Sequence, residues 1–331
     1  MIKNKLTIVT GGAGFIGSHM VDLLIKEGHR VHVIDNLIGG REANIAHHFS
    51  NKRFTFTNMD IRDLKKESSI FDGVNYICHF AGIGDIVPSI EQPLDYIDVN
   101  LLGTVKVLEC ARSAGIEKFV YAASSSCYGL ADVPTNEKHK IQAEYPYALS
   151  KFQGEQAAFH WNKVYNLPVN SIRIFNAYGT RSRTSGAYGA VFGVFLKQKI
   201  ENKPLTVVGD GNQKRDFLYV TDVAKAFLAA LETNLTGEIW NLGASNPQSV
   251  NRIVELLNEE VIYIPKRPGE PECTYADTTK ITNELDWKPE ISFEKGVANL
   301  LNNIDYWKNA PLWSPDTIAL ATKNWFKYLN K

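Results

Sequence analysis

A glycine run, Gly11-Gly12-Ala13-Gly14-Phe15-Ile16-Gly17, stands between a β-branched stretch, Leu6 to Thr10, and a helical pattern reaching about Gly28. That order leaves the chain little freedom. Glycines at these spacings allow a tight turn, bring the backbone close to a ligand, and leave the first N–H groups of the helix to hold an anion such as a pyrophosphate. The next β-branched stretch ends at Asp35, 18 residues beyond Gly17. A carboxylate there can accept the two hydroxyls of an adenosine ribose and repels a 2′-phosphate. Strand, glycines, helix and acid in register predict a dinucleotide site, for NAD rather than NADP. Arg41 is the one nearby cation that could reverse the preference, and it reads as a solvated surface arginine.

The rest of the first half repeats this rhythm. Val31 to Ile34, Phe54 to Thr57, Asn75 to Phe80, Phe119 to Ala122 and Asn170 to Ile174 read as strands with amphipathic helices between them. Right-handed crossovers then give an α/β fold, a doubly wound parallel (Rossmann-type) sheet. After about residue 176 the pieces shorten (Leu205 to Val208, Phe217 to Val220, Glu238 to Leu242), and Pro and Gly become frequent. We expect a first domain over 1–176 with returns to it from later segments, a smaller mixed α/β lobe over 177–310 that binds substrate, and an aromatic tail over 311–331. Trp313, Trp325, Phe326 and Tyr328 in that tail need cover, from the chain's own body or from another subunit. At the carboxyl edge of the sheet, Asp60-Ile61 follows the third strand, where a loop can pin an adenine. Phe80-Ala81-Gly82 ends the fourth strand at the same edge.

Composition narrows the partners. Lys+Arg and Asp+Glu are equal at 36 each, with no long run of either sign, so nothing draws the chain to nucleic acid or anionic lipid. Four irregularly spaced cysteines, Cys78, Cys110, Cys127 and Cys273, predict free thiols and no metal site, and hence a cytoplasmic protein. No apolar stretch approaches the roughly 20 residues of a membrane span.

Tyr147 and Lys151 fall at i and i+4 of a helical stretch, so both side chains project from one face. A phenol titrates near 10, and a neighbouring ammonium together with a positively charged nicotinamide would favour its phenolate, a base able to take a proton from a sugar hydroxyl. The fifth strand runs into Ser124-Ser125-Ser126, hydroxyl donors at the edge where the nicotinamide should lie.

Together, the glycine run, Asp35, the serines with Cys127-Tyr128-Gly129, and the Tyr147/Lys151 pair resemble the extended short-chain dehydrogenases that act on nucleotide sugars. Arg173-Ile174-Phe175-Asn176-Ala177-Tyr178-Gly179, Gly209-Asp210-Gly211 leading to Arg215-Asp216-Phe217, and Arg267-Pro268-Gly269-Glu270 carry the likeness to about residue 305. The resemblance implies that Ser124 bonds the reacting hydroxyl, that Tyr147 is the base, and that Lys151 holds the nicotinamide ribose. It also implies that Asn100 supports the cofactor, alongside Gly11, Gly14, Phe15, Ile16, Gly17, Asp35, Asn36, Asp60, Ile61, Phe80, Ala81 and Gly82. Asn176, Arg215 and Arg267 would bind the diphosphate, since arginine suits forked phosphate contacts. Glu270 would accept the ribose hydroxyls, and Val191 is a further substrate-binding candidate. A homodimer is implied through helices over about Leu94 to Ala114 and Tyr147 to Tyr165.

Family dehydratases carry an Asp-Glu pair after the first catalytic hydroxyl, and the uronic acid decarboxylases a Glu. This chain has Ser125 and Ser126. That favours NAD-dependent epimerisation at C4 of a nucleotide sugar, UDP-linked in the close relatives, over elimination or decarboxylation. Thr274 stands where galactose-type epimerases carry a bulky Tyr, and Gly84 where they have a Lys, so a 2-N-acetyl group is expected to fit. Asp85, next to Gly84, is unfamiliar. Arg183 replaces an acid or amide of many relatives and, with the serines, suggests a uronic-acid-specific 4-epimerase as an alternative.

Overall fold

The computed structural model describes residues 4–182 and 190–329. Its first element, β1 (Leu6–Thr10), is buried beyond Leu6 because it runs through the middle of a sheet covered on both faces. The helix α1 (Phe15–Lys26) follows the glycine turn and buries Met20, Val21 and Leu24 along one stripe. In chain order come β2 (Arg30–Asp35), β3 (Phe54–Asn58), β4 (Tyr76–His79), α2 (Ile86–Glu91) and α3 (Pro93–Ile97). After α3, a π-helical turn over Asp98–Gly103 leads into α4 (Thr104–Ala114). Gly115, at φ +64°, then ends α4 in the left-handed conformation that glycine takes at least cost. Next are β5 (Lys118–Ser124), α5 (Pro146–Tyr165) and β6 (Val169–Ile174). Pro146 at its first turn starts α5.

The later half supplies β7 (Ala177–Tyr178), α6 (Val191–Ile200), β8 (Leu205–Val208), β9 (Lys214–Arg215), β10 (Leu218–Tyr219) and α7 (Val220–Glu232). It continues with β11 (Ile239–Leu242), β12 (Gln248–Ser249), α8 (Val250–Leu257), β13 (Val261–Ile264), α9 (Thr279–Leu285), α10 (Phe293–Asn302), α11 (Pro315–Ala321) and α12 (Lys323–Leu329).

Seven of these strands form the main sheet, in the order β11-β6-β5-β4-β1-β2-β3, all parallel. The chain reverses direction across the sheet between β1 and β4, and a crevice opens at such a switch point outside the carboxyl ends of the strands. One face is filled by α1 and α7, with Trp240 fully buried. The other carries α4 and α5. β11 is thus a seventh strand delivered from far along the chain, with α7 coming back to lie against α1.

The remaining short strands pair in twos, β7 with β10, β9 with β12 and β8 with β13. Around them gathers an aromatic core of Tyr178, Phe192, Phe217, Tyr219 and Phe293. Asp22 on α1 accepts from His47 and His48 and pairs with Arg181 at 2.8 Å, tying α1 to the segment that follows β7. Among the described residues no helix is long and apolar enough to cross a membrane, and all four cysteines are free.

Candidate active site

Backbone geometry explains the glycine run. A Cβ on Gly11, whose φ is +69°, would stand 2.6 Å from the Ala81 nitrogen, and one on Gly17 would stand 2.2 Å from the Gly11 carbonyl oxygen. The turn therefore packs against the end of β4 as only glycine permits. Gly14 caps α1 with no side-chain acceptor, which leaves the helix N-terminus to a ligand. The Phe15 and Ile16 side chains pack against the aromatic core around β7 and β10, so they could meet a ligand there only through their backbone.

At the end of β2, Asp35 accepts from the Ala13 and Leu37 amides at 3.0 and 2.8 Å. Burial raises its pKa while these two bonds lower it. Asn36 donates to Asp60 at 2.8 Å, and Asp60, gripped by Arg62, is held down to about 2. Asp35, Asn36 and Asp60 thus share one edge. Ile61 and Phe80 turn inward instead: Ile61 is buried in the core, and the Phe80 ring lies 4.5 Å from Phe227. Either could meet a cofactor only through its backbone. Asn100 is fully buried and exchanges bonds with Ile83 N and O (2.8 and 3.0 Å) while donating to Ser150. It clasps the backbone just after Gly82, and a Cβ on Gly82 would stand 3.8 Å from Lys151 Nζ. The uncapped helix, the glycine contacts and the buried lysine at the switch point fit a dinucleotide.

Tyr147 lies on α5 facing the end of β5. The Ser124 hydroxyl hydrogen-bonds its phenol and draws its pKa down, but burial dominates and leaves it above 10, with the Asp85 charge pushing the same way. Ser124 also accepts from the Ser126 amide at 3.2 Å. Lys151 lies 4.4 Å from the Tyr121 ring centre. Burial lowers its pKa to about 8 against the upward pull of Glu155.

On the second-lobe side, the Thr274 hydroxyl donates to Asn176 Oδ1 at 2.6 Å and accepts from the Asp216 amide. Arg215 donates to the Lys214 and Pro271 carbonyls and, with Lys266 and Glu270, lines a shallow cleft. Arg267 pairs with Glu270 at 3.0 Å, and Val191 begins α6. Arg183 lies outside the described residues.

Sequence reasoning passed over two features. Tyr145 stacks on Tyr147, with ring centres 6.4 Å apart and planes 6° apart, and hydrogen-bonds Ser126. Beneath the site, Arg173 and Glu155, 3% and 1% exposed, pair at 2.6 Å, and Arg173 also donates to the Tyr128 hydroxyl. Only the Glu155 spacing, one turn beyond Lys151, hinted at the second.

Residues 8–300 match the family model described as GDP-mannose 4,6 dehydratase. A Methanocaldococcus jannaschii protein named putative UDP-glucose 4-epimerase is 39% identical over 306 residues, 90% of this chain and 97% of its own length. The UDP-glucuronate 4-epimerase of Thermodesulfobacterium geofontis is 33% identical over 95% of this chain and 97% of its own. A crystal structure of UDP-glucuronic acid 4-epimerase from Bacillus cereus, in complex with UDP-glucuronic acid and NAD, aligns with a TM-score of 0.85 at 31% identity, covering 92% of this chain and 99% of that one.

Proposed function

Because this chain belongs to the GDP-mannose 4,6 dehydratase family, the NAD-dependent epimerases and dehydratases of nucleotide sugars, we propose that it inverts C4 of a UDP-linked sugar through a transient 4-keto sugar. The observation that carries this reading is the hydrogen-bonded Ser124–Tyr147 pair at the end of β5, followed by Ser125 and Ser126 where an eliminating enzyme would need a carboxyl acid.

NAD, when bound, would supply the centre that takes the C4 hydride and gives it back to the opposite face of the turned ketone, so the cofactor is regenerated in each turnover. Tyr147 removes the proton from the C4 hydroxyl and returns it at the end, while Ser124 holds the same oxygen. Lys151 holds the nicotinamide ribose, and its charge favours the phenolate once the site is filled. Asn176, Arg215 and Arg267 bind the diphosphate, and Glu270 the ribose. Two copies pair through α5 and α4 with the turn that precedes it, where Leu149 on α5 and Leu102 in that turn are exposed; sedimentation of the NAD-loaded protein reads this directly.

Mass spectrometry of products from a panel of nucleotide sugars tests the reaction. Products isobaric with substrate are expected; loss of water or carbon dioxide from the main product overturns the epimerase reading. The same panel addresses the uronate alternative. A kcat/KM higher for UDP-glucuronate than for UDP-glucose and UDP-N-acetylglucosamine, and lost in Arg183→Ala, would favour the uronate reading; a preference for the neutral sugars overturns it.

A further inference from the structure

The C-terminal helix takes no part in the chemistry above, yet it reaches the same cleft. α12 carries Trp325, which is 3% exposed. Its ring centre lies 5.5 Å from the Arg267 guanidinium and 6.2 Å from the Tyr145 ring, and its indole N–H donates to the Pro268 carbonyl at 2.7 Å. Four residues further on, a Cβ on Gly269 would stand 4.0 Å from Leu329 Cβ. On the opposite side, Asn324 Nδ2 donates to Glu91 Oε1 of α2 at 2.9 Å. One short helix therefore touches the first lobe through α2 and Tyr145, and the second through residues 267, 268 and 269.

These contacts fall on the loop that carries Arg267 and Glu270. A cation over an indole is held by the face of its guanidinium, which leaves the N–H edge to donate to phosphate oxygens. Tyr145 extends the arrangement to the reacting centre by stacking on Tyr147 and bonding Ser126, and the charges of Glu270 and Arg215 act on it.

We propose that Trp325 is a positioning residue for the nucleotide. By holding residues 267–269 against Tyr145, it presets Arg267 and Glu270 to receive the diphosphate and ribose of a nucleoside diphosphate. Presetting a loop removes ordering cost from binding and so appears in affinity more than in turnover. The proposal rests on the reading that Arg267 and Glu270 hold the nucleotide.

The test uses NAD-loaded wild type, Trp325→Ala and Trp325→Phe. UDP affinity is measured by calorimetry, together with bound NAD, KM and kcat on the preferred substrate, and amide hydrogen exchange across 266–272. Trp325→Ala is expected to weaken UDP binding and raise KM about tenfold, to keep kcat within about threefold, to retain NAD, and to speed exchange at the amides of 267, 269 and 270. Trp325→Phe keeps a ring over Arg267 but loses the bond to Pro268, so it should recover most of the affinity while exchange stays faster than in wild type. Unchanged UDP affinity in Trp325→Ala overturns the proposal, as does a loss of UDP affinity matched by loss of NAD. If the alanine variant does not fold, wild-type exchange and affinity in Trp325→Phe overturn it. Should wild type bind no UDP, the nucleotide reading fails by itself, and exchange at 267–270 still judges Trp325: unchanged protection in the variants sinks it.

Discussion

At Tyr147, burial and hydrogen bonding oppose one another, and burial prevails, so the phenol stands above its ordinary value of 10 in this structure. If Tyr147 is the base, positive charge arriving with the cofactor would favour its phenolate and so couple deprotonation to loading of the site. Tyr147→Phe removes one hydroxyl and keeps the ring between Tyr145 and Tyr96. It is expected to retain NAD and fold while losing about 10²–10⁴ in turnover; turnover near wild type with normal cofactor content would exclude Tyr147 as the base. Thr274 belongs to the same scale. Its hydroxyl engages Asn176 and the Asp216 amide, so Thr274→Tyr both fills space and strips Asn176 of that bond, whereas Thr274→Ala does only the latter. We expect the tyrosine variant to lose activity on UDP-N-acetylglucosamine while sparing UDP-glucose, and the alanine variant to treat both alike. Equal losses in the tyrosine variant would rule out a size gate.

Among the elements, α5 does the most for the site, since it presents Tyr147 and Lys151 on one face and Glu155 one turn further on. Glu155 is a buried carboxylate that also accepts from Ser171, so it needs its arginine from β6. Removing one partner of a buried pair leaves an uncompensated charge and costs about 3–5 kcal/mol. Arg173→Met should therefore lower the unfolding free energy from denaturant melts by an amount of that order. A shift under about 1 kcal/mol would show that Glu155 is relieved by water or by protonation. The pair was hard to read from sequence because its members come from separate elements, and only the β5–β6 register and the seating of α5 bring them together.

Across the whole molecule, two neutral histidines join parts distant in sequence. His79 on β4 lies between Thr10 and Thr104; burial, helped by the Lys151 charge, lowers its pKa to about 3. His19 on α1 bonds the Thr180 carbonyl and falls to about 4, chiefly through burial, with Arg181 adding to the fall and Asp22 opposing it. Below about 6.5 the unfolded chain binds protons at both sites, and the native chain does not. Their contribution is thus complete above 6.5 and is lost as pH falls from 6.5 toward 3, by up to about 1.4 kcal/mol per pH unit for each group. Denaturant midpoints should drop across that range, and less steeply in His19→Gln; an unchanged slope would remove His19 from the account. At this scale the division between sequence and structure is clear. Local order was legible: the glycine turn, the acid ending β2, the strands of the first half and the Tyr147/Lys151 spacing each depend on neighbours within about 20 residues. β7, β9, β10 and β12 span two residues each, too few to show a period, so the second lobe read as a loosening of pattern. Only the tertiary structure could make β11 the seventh strand, turn Ile61 and Phe80 inward, seat Arg173 under α5 and bring Trp325 to Arg267. Those placements depend on which distant surfaces bury one another, and that is a property of the assembled chain.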